Sequence, residues 1–85
     1  MLQMENIGTI IRSIREEKKL KQEYVAFCLG ISINAYANME NNRSRLNTNR
    51  LEELADLFEM KSSAIIKMAE DLSPLKDKSI QKITY

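Results

Sequence analysis

The side chains that could make specific polar contacts with a partner are concentrated in the middle of this sequence. Asn34, Asn38 and Asn41 recur at intervals of four and three residues, so on a helix they would lie on one face. A primary amide both donates and accepts hydrogen bonds, and such a row can therefore match the polar edge of another molecule. Arg43 and Arg45 follow at once and add positive charge beside these amides.

The residues that common catalytic and metal-binding sites require are scarce. The sequence contains no histidine, which is the commonest general base and metal ligand. Its single cysteine, Cys28, cannot form an internal disulfide, and no obvious base is available to activate it as a nucleophile. No glycine-rich phosphate loop, metal cluster or catalytic triad can be assembled from these residues. We therefore expect a protein that is not an enzyme and that carries no cofactor and no metal.

Charge is nearly balanced over the whole chain but unevenly distributed along it. The 13 basic and 12 acidic residues give a net charge of +1, which is only weak support for a nucleic-acid partner. Residues 41–50 carry arginines and no acid, whereas residues 51–60 carry acids and no base. The acids of the second segment are Glu52, Glu53, Asp56 and Glu59. Their spacing is that of one helical face, so we expect them to face solvent and to point away from any polyanion.

Length and composition predict one small, helical domain. A chain of 85 residues suffices for a single domain with a small core. Two glycines and one proline are too few for the tight turns of an all-β fold. No apolar run approaches the roughly 18 residues of a membrane-spanning helix, and the N-terminus lacks the features of a secretory signal. We expect a soluble, cytoplasmic protein without a membrane partner.

The spacing of apolar residues predicts five helices. Isoleucines at positions 7, 10, 11 and 14 form one stripe of a helix that we expect over about residues 5–18. Four further helices are expected over about residues 22–29, 33–41, 48–58 and 63–70. We thus expect a domain over residues 5–70, followed by a tail, residues 71–85, that is disordered, a short strand or an arm gripping a second subunit.

The second and third helices are joined by a short turn with recognisable end signals. Gly30 stands where a helix end needs a left-handed residue, and Ser32 can cap the start of the third helix. Asn47 and Thr48 are alternative caps for the fourth helix. Two short helices joined by a glycine-containing turn of about three residues make a helix-turn-helix candidate.

The third helix has two different faces. Because successive residues turn by about 100°, Tyr36 and Met39 share one side and can pack onto the domain. The opposite side holds amides and short apolar groups, namely Ile33, Asn34, Ala37, Asn38 and Asn41. Such a face, with few acids nearby, suits a helix that lies in the major groove of DNA.

Several residues of this region match a known motif. They are Gln22, Val25, Ala26, the turn residues 29–32, and Tyr36, Met39 and Glu40. Through them the chain resembles the phage-repressor (Cro- and repressor-type) helix-turn-helix family, also called the xenobiotic-response-element family, over roughly residues 5–70. The resemblance implies an all-α, five-helix, repressor-like DNA-binding domain.

The resemblance also implies a role in DNA binding for individual residues. The base-reading positions are Ile33, Asn34, Ala37 and Asn38. Asparagine can pair bidentately with adenine, and Ile33 can touch a thymine methyl group, so a site with A·T steps is expected. The implied phosphate contacts are Gln22, through its backbone N–H at a helix start, and Asn41, Arg43 and Arg45.

Other positions have implied structural roles. Arg15 and Glu40 match the family's internal ion pair, which links the first helix to the end of the third. By family habit, the surface for homodimerisation lies on the fifth helix, at Ile65, Ile66 and Met68. The chain departs from the family at Lys21, which replaces the usual serine or threonine cap, at Leu46, where proline is common, and at Asn42. Asn42 replaces the usual glycine after the third helix, and asparagine tolerates the left-handed conformation.

One face of the second helix carries an unusual group of side chains, Tyr24, Phe27 and Cys28, at the spacing i, i+3 and i+4. In the family that the chain resembles, positions 27 and 28 are typically polar. One interpretation is an enlarged core beneath the N-terminus or the tail. Another is a surface for a protein partner. A catalytic thiol is disfavoured because no base is available to activate it.

Together these observations predict a sequence-specific, DNA-binding transcriptional regulator, expected to be a repressor that binds a two-fold operator as a homodimer. An alternative is an antitoxin-type autorepressor that binds DNA through this domain and a cognate toxin through its tail or an exposed patch. A restriction–modification controller protein is a further alternative of similar size.

Overall fold

The computed structural model describes residues 7–71, and in this range the chain forms five α-helices and no strand. The helices are α1 (Ile7–Glu17), α2 (Gln22–Leu29), α3 (Ile33–Glu40), α4 (Thr48–Leu57) and α5 (Ser62–Asp71). The prediction of an all-α fold with five helices is confirmed. The expected helical positions 5 and 6, and the tail after residue 71, lie outside the described residues.

One hydrophobic core holds the helices together. The isoleucine stripe of α1 is buried as its spacing predicts, and it packs with apolar residues from every other helix. The side chains buried most completely are Tyr36, Phe58, Ile11, Leu51, Leu54, Ile65 and Val25. Because burying one such side chain contributes about 1.5–3 kcal/mol, this core is the main source of the domain's stability. Leu46 also packs against it.

The turn between α2 and α3 has the end signals that the sequence indicates. Gly30 adopts a left-handed conformation with φ of 73°, and its N–H donates to the carbonyl of Phe27 at 3.1 Å. The Ser32 hydroxyl accepts the N–H of Ala35 at 3.0 Å and so caps α3. Ala26 is only 1% exposed beside this turn, where a small side chain allows two helices to approach closely. The turn therefore sets the angle between α2 and α3.

The start of α4 is fixed to the end of α2. The Asn47 side chain accepts the N–H of Arg50 at 2.7 Å, so Asn47, of the two candidates, is the cap of α4. The Arg50 guanidinium donates to the carbonyl of Leu29 at 3.3 Å and to the carboxylate of Glu53 at 2.8 Å. Arg50 is consequently engaged within the domain, unlike the arginines that precede it in the loop.

The part of the chain that the structure describes shows neither a membrane-spanning helix nor a metal-binding cluster of side chains. None of its helices has the length and apolar character required to cross a bilayer. Nor do residues 7–71 contain a cluster of three or more histidine, cysteine, aspartate or glutamate side chains able to hold a metal ion.

Candidate nucleic-acid interface

The third helix is anchored on one side and exposed on the other. Tyr36 is fully buried and Met39 is half-buried, whereas Asn34 and Asn38 are exposed. Ile33, at the start of the helix, is 44% exposed although it is apolar. Ala37 is half-buried and Asn41 is exposed. Helix α3 therefore presents to solvent the amide-bearing face that the sequence indicates.

A network of charged hydrogen bonds joins the end of α3 to α1 and α2. Arg15 Nε donates to Glu40 Oε2 at 2.6 Å and Nη2 to Glu40 Oε1 at 3.3 Å, so the pair is bidentate. Arg15 Nη1 also donates to the carbonyl of Leu20 at 2.7 Å. The amide of Gln22 donates to Glu40 Oε1 at 2.9 Å. Because Glu40 is only 3% exposed, these bonds, rather than water, satisfy its charge.

The network shifts the pKa values of its members. Burial by itself raises the pKa of Glu40, but the Arg15 guanidinium, the nearby Tyr36 hydroxyl and the Gln22 amide outweigh this effect, so the pKa of the carboxylate lies below its ordinary range. The hydrogen bond to Glu40 raises the pKa of Arg15 against the opposing effect of burial. Burial, followed by the nearby Glu40 carboxylate, raises the pKa of Tyr36. Tyr36 thus stays neutral, with its hydroxyl buried near the Glu40 carboxylate.

Gln22 is expected to contact phosphate through its backbone N–H. In the structure its side chain is engaged elsewhere, so only this backbone group is left for such a contact. Its side-chain amide is half-buried and bound to Glu40, so it is not free to reach a ligand. The N–H groups of the first turn of a helix have no partner within that helix, and they favour anions. Lys21, immediately before α2, is exposed and makes no side-chain cap to the helix.

The loop after α3 carries the basic residues of this surface. Asn41, Arg43 and Arg45 are exposed, and no ion pair involves either arginine within residues 7–71. The backbone is nevertheless fixed, because the N–H of Arg43 donates to the carbonyl of Asn38 at 2.8 Å. From Ser32 to Leu51 the only acidic residue is Glu40, whose charge is buried and paired. The exposed surface of α3 and its loop is therefore polar and positive.

The acidic residues of α4 and its C-terminal end form a contrasting surface. Glu52, Glu53, Asp56 and Glu59 are all exposed, as expected for a solvated face. Glu53 is partly neutralised by Arg50. The charge asymmetry between residues 41–50 and 51–60 is therefore present on the folded surface.

The prediction for the dimer surface needs a correction. Ile65 is fully buried in the core, so it is not available for contact with a second subunit. Ile66 is half-buried and Met68 is 40% exposed. The physical reason is the helical repeat, which sets Ile66 and Met68 about 160° apart on either side of Ile65. The three residues cannot form one exposed face.

The aromatic residues of α2 are uncovered by the described part of the chain. Phe27 is 82% exposed and Tyr24 is 50% exposed, and Cys28 beside them is also exposed. Residues 7–71 therefore do not form an enlarged core there. Cover by the N-terminus or by the tail would involve residues outside the described range.

Gly8, Thr9 and Asn42 form a contact between α1 and the turn after α3 that the sequence did not indicate. The N–H of Gly8 donates to Asn42 Oδ1 at 2.9 Å, and Asn42 Nδ2 donates to Thr9 Oγ1 at 3.2 Å. A Cβ atom at Gly8 would overlap the carbonyl oxygen of Met39, so only glycine allows α1 to come this close to α3. A signal was present, because a glycine within a helix costs conformational entropy and often marks a place where close packing requires it.

The comparison with known proteins identifies the family. A family model described as helix-turn-helix matches residues 11–70, which is more than half of the chain. The chain belongs to the Cro/C1-type helix-turn-helix family. No curated protein and no solved structure matches it significantly. The family resemblance noted in the sequence is therefore confirmed.

Membership of the Cro/C1-type helix-turn-helix family gives the domain a general function. The match begins within α1, contains α2, α3 and α4 entirely, and ends within α5. Domains of this family are DNA-binding regulatory domains, not catalytic ones. The protein is accordingly a DNA-binding transcriptional regulator.

Proposed function

We propose that this protein is a cytoplasmic, sequence-specific repressor that binds a two-fold operator as a homodimer, with α3 in the major groove. The observation that carries the proposal is the orientation of α3. The helix exposes Asn34 and Asn38 while it buries Tyr36 and the paired carboxylate of Glu40. A helix that is anchored in this way can enter the groove without disturbing the core.

Base recognition is assigned to the exposed face of α3. Asn34 and Asn38 are exposed, and an asparagine amide pairs bidentately with the N6 and N7 groups of adenine. Ile33 is apolar yet 44% exposed, which supports contact with a thymine methyl group. Ala37 lies between them and allows the helix backbone to approach the bases closely. The proposed operator therefore contains A·T steps in each half-site.

Phosphate binding is assigned to the two ends of the motif. Asn41, Arg43 and Arg45 are exposed just after α3, and the backbone N–H of Gln22 lies at the start of α2. Contacts from both places would fix the domain on the DNA backbone without reading sequence. Affinity should then fall steeply with salt, since each neutralised phosphate releases counterions.

Homodimerisation is proposed because one domain reads only a few base pairs. Two copies would present their α3 helices about 34 Å apart, on half-sites one helical turn apart. With Ile65 excluded by burial, the surface of α5 around Met68 is the proposed contact. Met68 borders an open groove of about 350 Å³ against Ile10 and Ile14 of α1. Ile66, on the other side of Ile65, is a second place for contact.

Selection of bound sequences from a random duplex library, followed by sedimentation of the complex, tests this function. The expected result is a two-fold sequence with A·T steps, bound by two copies of the chain. A chain that stays monomeric and ignores all DNA at low salt would contradict the proposal. Binding of every duplex with equal affinity would contradict the base-reading assignment alone.

One observation favours an antitoxin-type autorepressor as the second candidate. Phe27 and Tyr24 form an exposed aromatic patch on α2, and exposed aromatic clusters are enriched at protein interfaces. Coexpression with the product of the neighbouring gene, comparing the native chain with Phe27→Ser, tests this function. An antitoxin would copurify with that product and lose it on substitution, while its binding to the selected duplex stays unchanged. Copurification that survives the substitution would remove the patch as the contact.

A further inference from the structure

The end of α3 is tied to the beginning of α1 through a single side chain. Asn42, which follows the C-cap residue Asn41, adopts a left-handed conformation with φ of 61°. Its Oδ1 atom accepts the N–H of Gly8 at 2.9 Å, and its Nδ2 atom donates to Thr9 Oγ1 at 3.2 Å. The side chain thereby caps the first turn of α1, whose N–H groups lack partners within the helix.

The residue at position 42 has to satisfy two requirements at once. Its N–H donates to the carbonyl of Met39 at 3.1 Å in the turn that ends α3, and this turn needs a left-handed residue. Glycine would meet that requirement without strain, but it has no side chain to reach α1. Asparagine is among the few other residues that tolerate the left-handed region. Asn42 therefore combines the turn with two hydrogen bonds that glycine could not make.

The close approach of α1 makes these bonds possible. An added Cβ atom at Gly8 would overlap the carbonyl oxygen of Met39 and come within 2.7 Å of Asn42 Oδ1. The backbone of α1 therefore lies directly against the last turn of α3. A larger residue at Gly8 would separate the two helices and break both bonds of Asn42.

The contact complements the ion pair at the other end of α1. Arg15 holds Glu40, and Gly8 and Thr9 hold Asn42, so the end of α3 and the turn that follows it are bound at two points along α1. Positions 8 and 15 are about 10 Å apart along a helix. A single attachment would allow α3 to pivot, whereas two attachments at this separation fix its direction.

We infer that Asn42 is a positioning residue for DNA binding, which holds the loop after α3 in register with the recognition helix. The inference rests on the proposed function, since Asn41 and Arg43, the neighbours of Asn42, are proposed phosphate contacts. Both are exposed and have no side-chain partner among the described residues, so their placement depends on the backbone between them. A loop that is ordered before binding does not need to be ordered on the DNA, and this raises affinity.

The test compares three full-length variants with the native chain. Asn42→Gly keeps the left-handed turn and removes both hydrogen bonds. Thr9→Val removes one bond with little change of shape, and Thr9→Ser retains the hydroxyl group as the conservative variant. Dissociation constants are measured for a duplex recovered by selection and for a random-sequence duplex, over a range of salt concentrations. All measurements are made well below the unfolding temperature of each variant.

We expect Asn42→Gly to weaken binding of the selected duplex by about tenfold. This is the effect of losing one to two hydrogen bonds that order the loop before the DNA binds. Its salt dependence should also become shallower, by up to about one unit of slope, because Arg43 no longer engages its phosphate in register. Thr9→Val should weaken binding about two- to fivefold, and Thr9→Ser should restore it. A purely structural role would lower the unfolding temperature without changing affinity or salt slope at low temperature.

The outcomes separate this inference from the proposed function. If the native chain binds the selected duplex and Asn42→Gly binds it with the same affinity and salt slope, the inference is overturned and the function stands. If the native chain binds no duplex, the proposed function fails, and the inference fails with it. Should Asn42→Gly not fold, the comparison of Thr9→Val with Thr9→Ser decides, and equal affinities would overturn the inference.

Discussion

Helices α3 and α5 have similar lengths but are held in the domain by different forces. The buried residues of α3 are Tyr36 and the charged Glu40, whereas those of α5 are the apolar Ile65 and Ala69. Bidentate and charged hydrogen bonds have a defined direction, so they fix how α3 is rotated about its axis. Apolar packing has no such direction and determines only which side of α5 is buried. A helix that must present particular side chains to a ligand gains from the first kind of anchor.

The largest expected effect is at the anchor of α3. Glu40→Ala should lower the free energy of unfolding by about 3–5 kcal/mol, because it leaves Arg15 without its buried partner. Exposed Glu53, which pairs with Arg50 at 2.8 Å, is the control, and Glu53→Ala should cost about 0–1 kcal/mol. Denaturant titration measures both values. Equal values for the two variants would show that the Glu40 network does not hold the domain together.

A double substitution sharpens the same comparison. The combined change of Arg15→Met and Glu40→Leu removes both charges and should recover much of the stability that Glu40→Ala loses. Binding to the selected duplex should remain weaker than in the native chain, because the apolar replacements do not fix the rotation of α3 as the ion pair does. Full recovery of affinity would contradict a directional role for the pair.

Truncation of the buried apolar side chain that anchors α5 should destabilise the domain nearly as much as Glu40→Ala does. It leaves no unpaired charge behind. Ile65→Ala should lower the free energy of unfolding by about 2–5 kcal/mol through lost burial and a residual cavity. Met68→Ala, at a side chain that is 40% exposed, should cost far less in a dilute, monomeric sample. Denaturant titration over a range of protein concentrations separates the two. If Ile65→Ala weakened only self-association, the assignment of Ile65 to the monomer core would be wrong.

The exposed face of α3 should affect binding and leave stability almost unchanged. Asn34→Ala should cost about 1–3 kcal/mol on the selected duplex and relax the base preference at one position. Arg43→Ala is the matched variant, since it should weaken binding to all sequences alike and lower the salt slope by about one. Binding assays on the selected duplex and its single-base variants measure the difference. Identical losses on every duplex from both variants would remove Asn34 from the base-reading residues.

The smallest expected effect is a dependence of stability on pH. The pKa of Glu40 in the folded domain is lower than in the unfolded chain, where it is near 4.3. The stability that this shift contributes is therefore fully present above the unfolded pKa and is lost as pH falls through the folded pKa. The stability difference between the native chain and Glu40→Gln should be constant above about pH 5 and should narrow toward pH 3. A difference that does not change with pH would contradict the depressed pKa of Glu40.

Local features of the fold followed from the sequence. The isoleucine stripe predicted α1, and the end signals at Gly30 and Ser32 predicted the turn between α2 and α3. The sides of α3 could also be assigned, because Tyr36 and Met39 lie on one side and the amides on the other. These predictions succeeded because each depends only on residues within about one turn of a helix.

Features that depend on how helices approach one another could not be predicted. The sequence could not reveal that Ile65 belongs to the core while Met68 is exposed, since both are apolar and lie within one turn. The contact of Asn42 with Gly8 and Thr9 also escaped prediction, although the left-handed tolerance of Asn42 was recognised. Its partners lie more than thirty residues away in the chain.

The sequence by itself determined that this chain forms short helices, which of them carries the polar face, and to which family it belongs. Only the tertiary structure decided which charges are buried, that the side chain of Gln22 is engaged with Glu40, and that α3 is attached to α1 at two points. Helix periods and caps are short-range properties that adjacent residues specify. Burial and hydrogen bonding between distant residues arise only when the helices pack together, and these contacts give the amide-bearing face of α3 its direction.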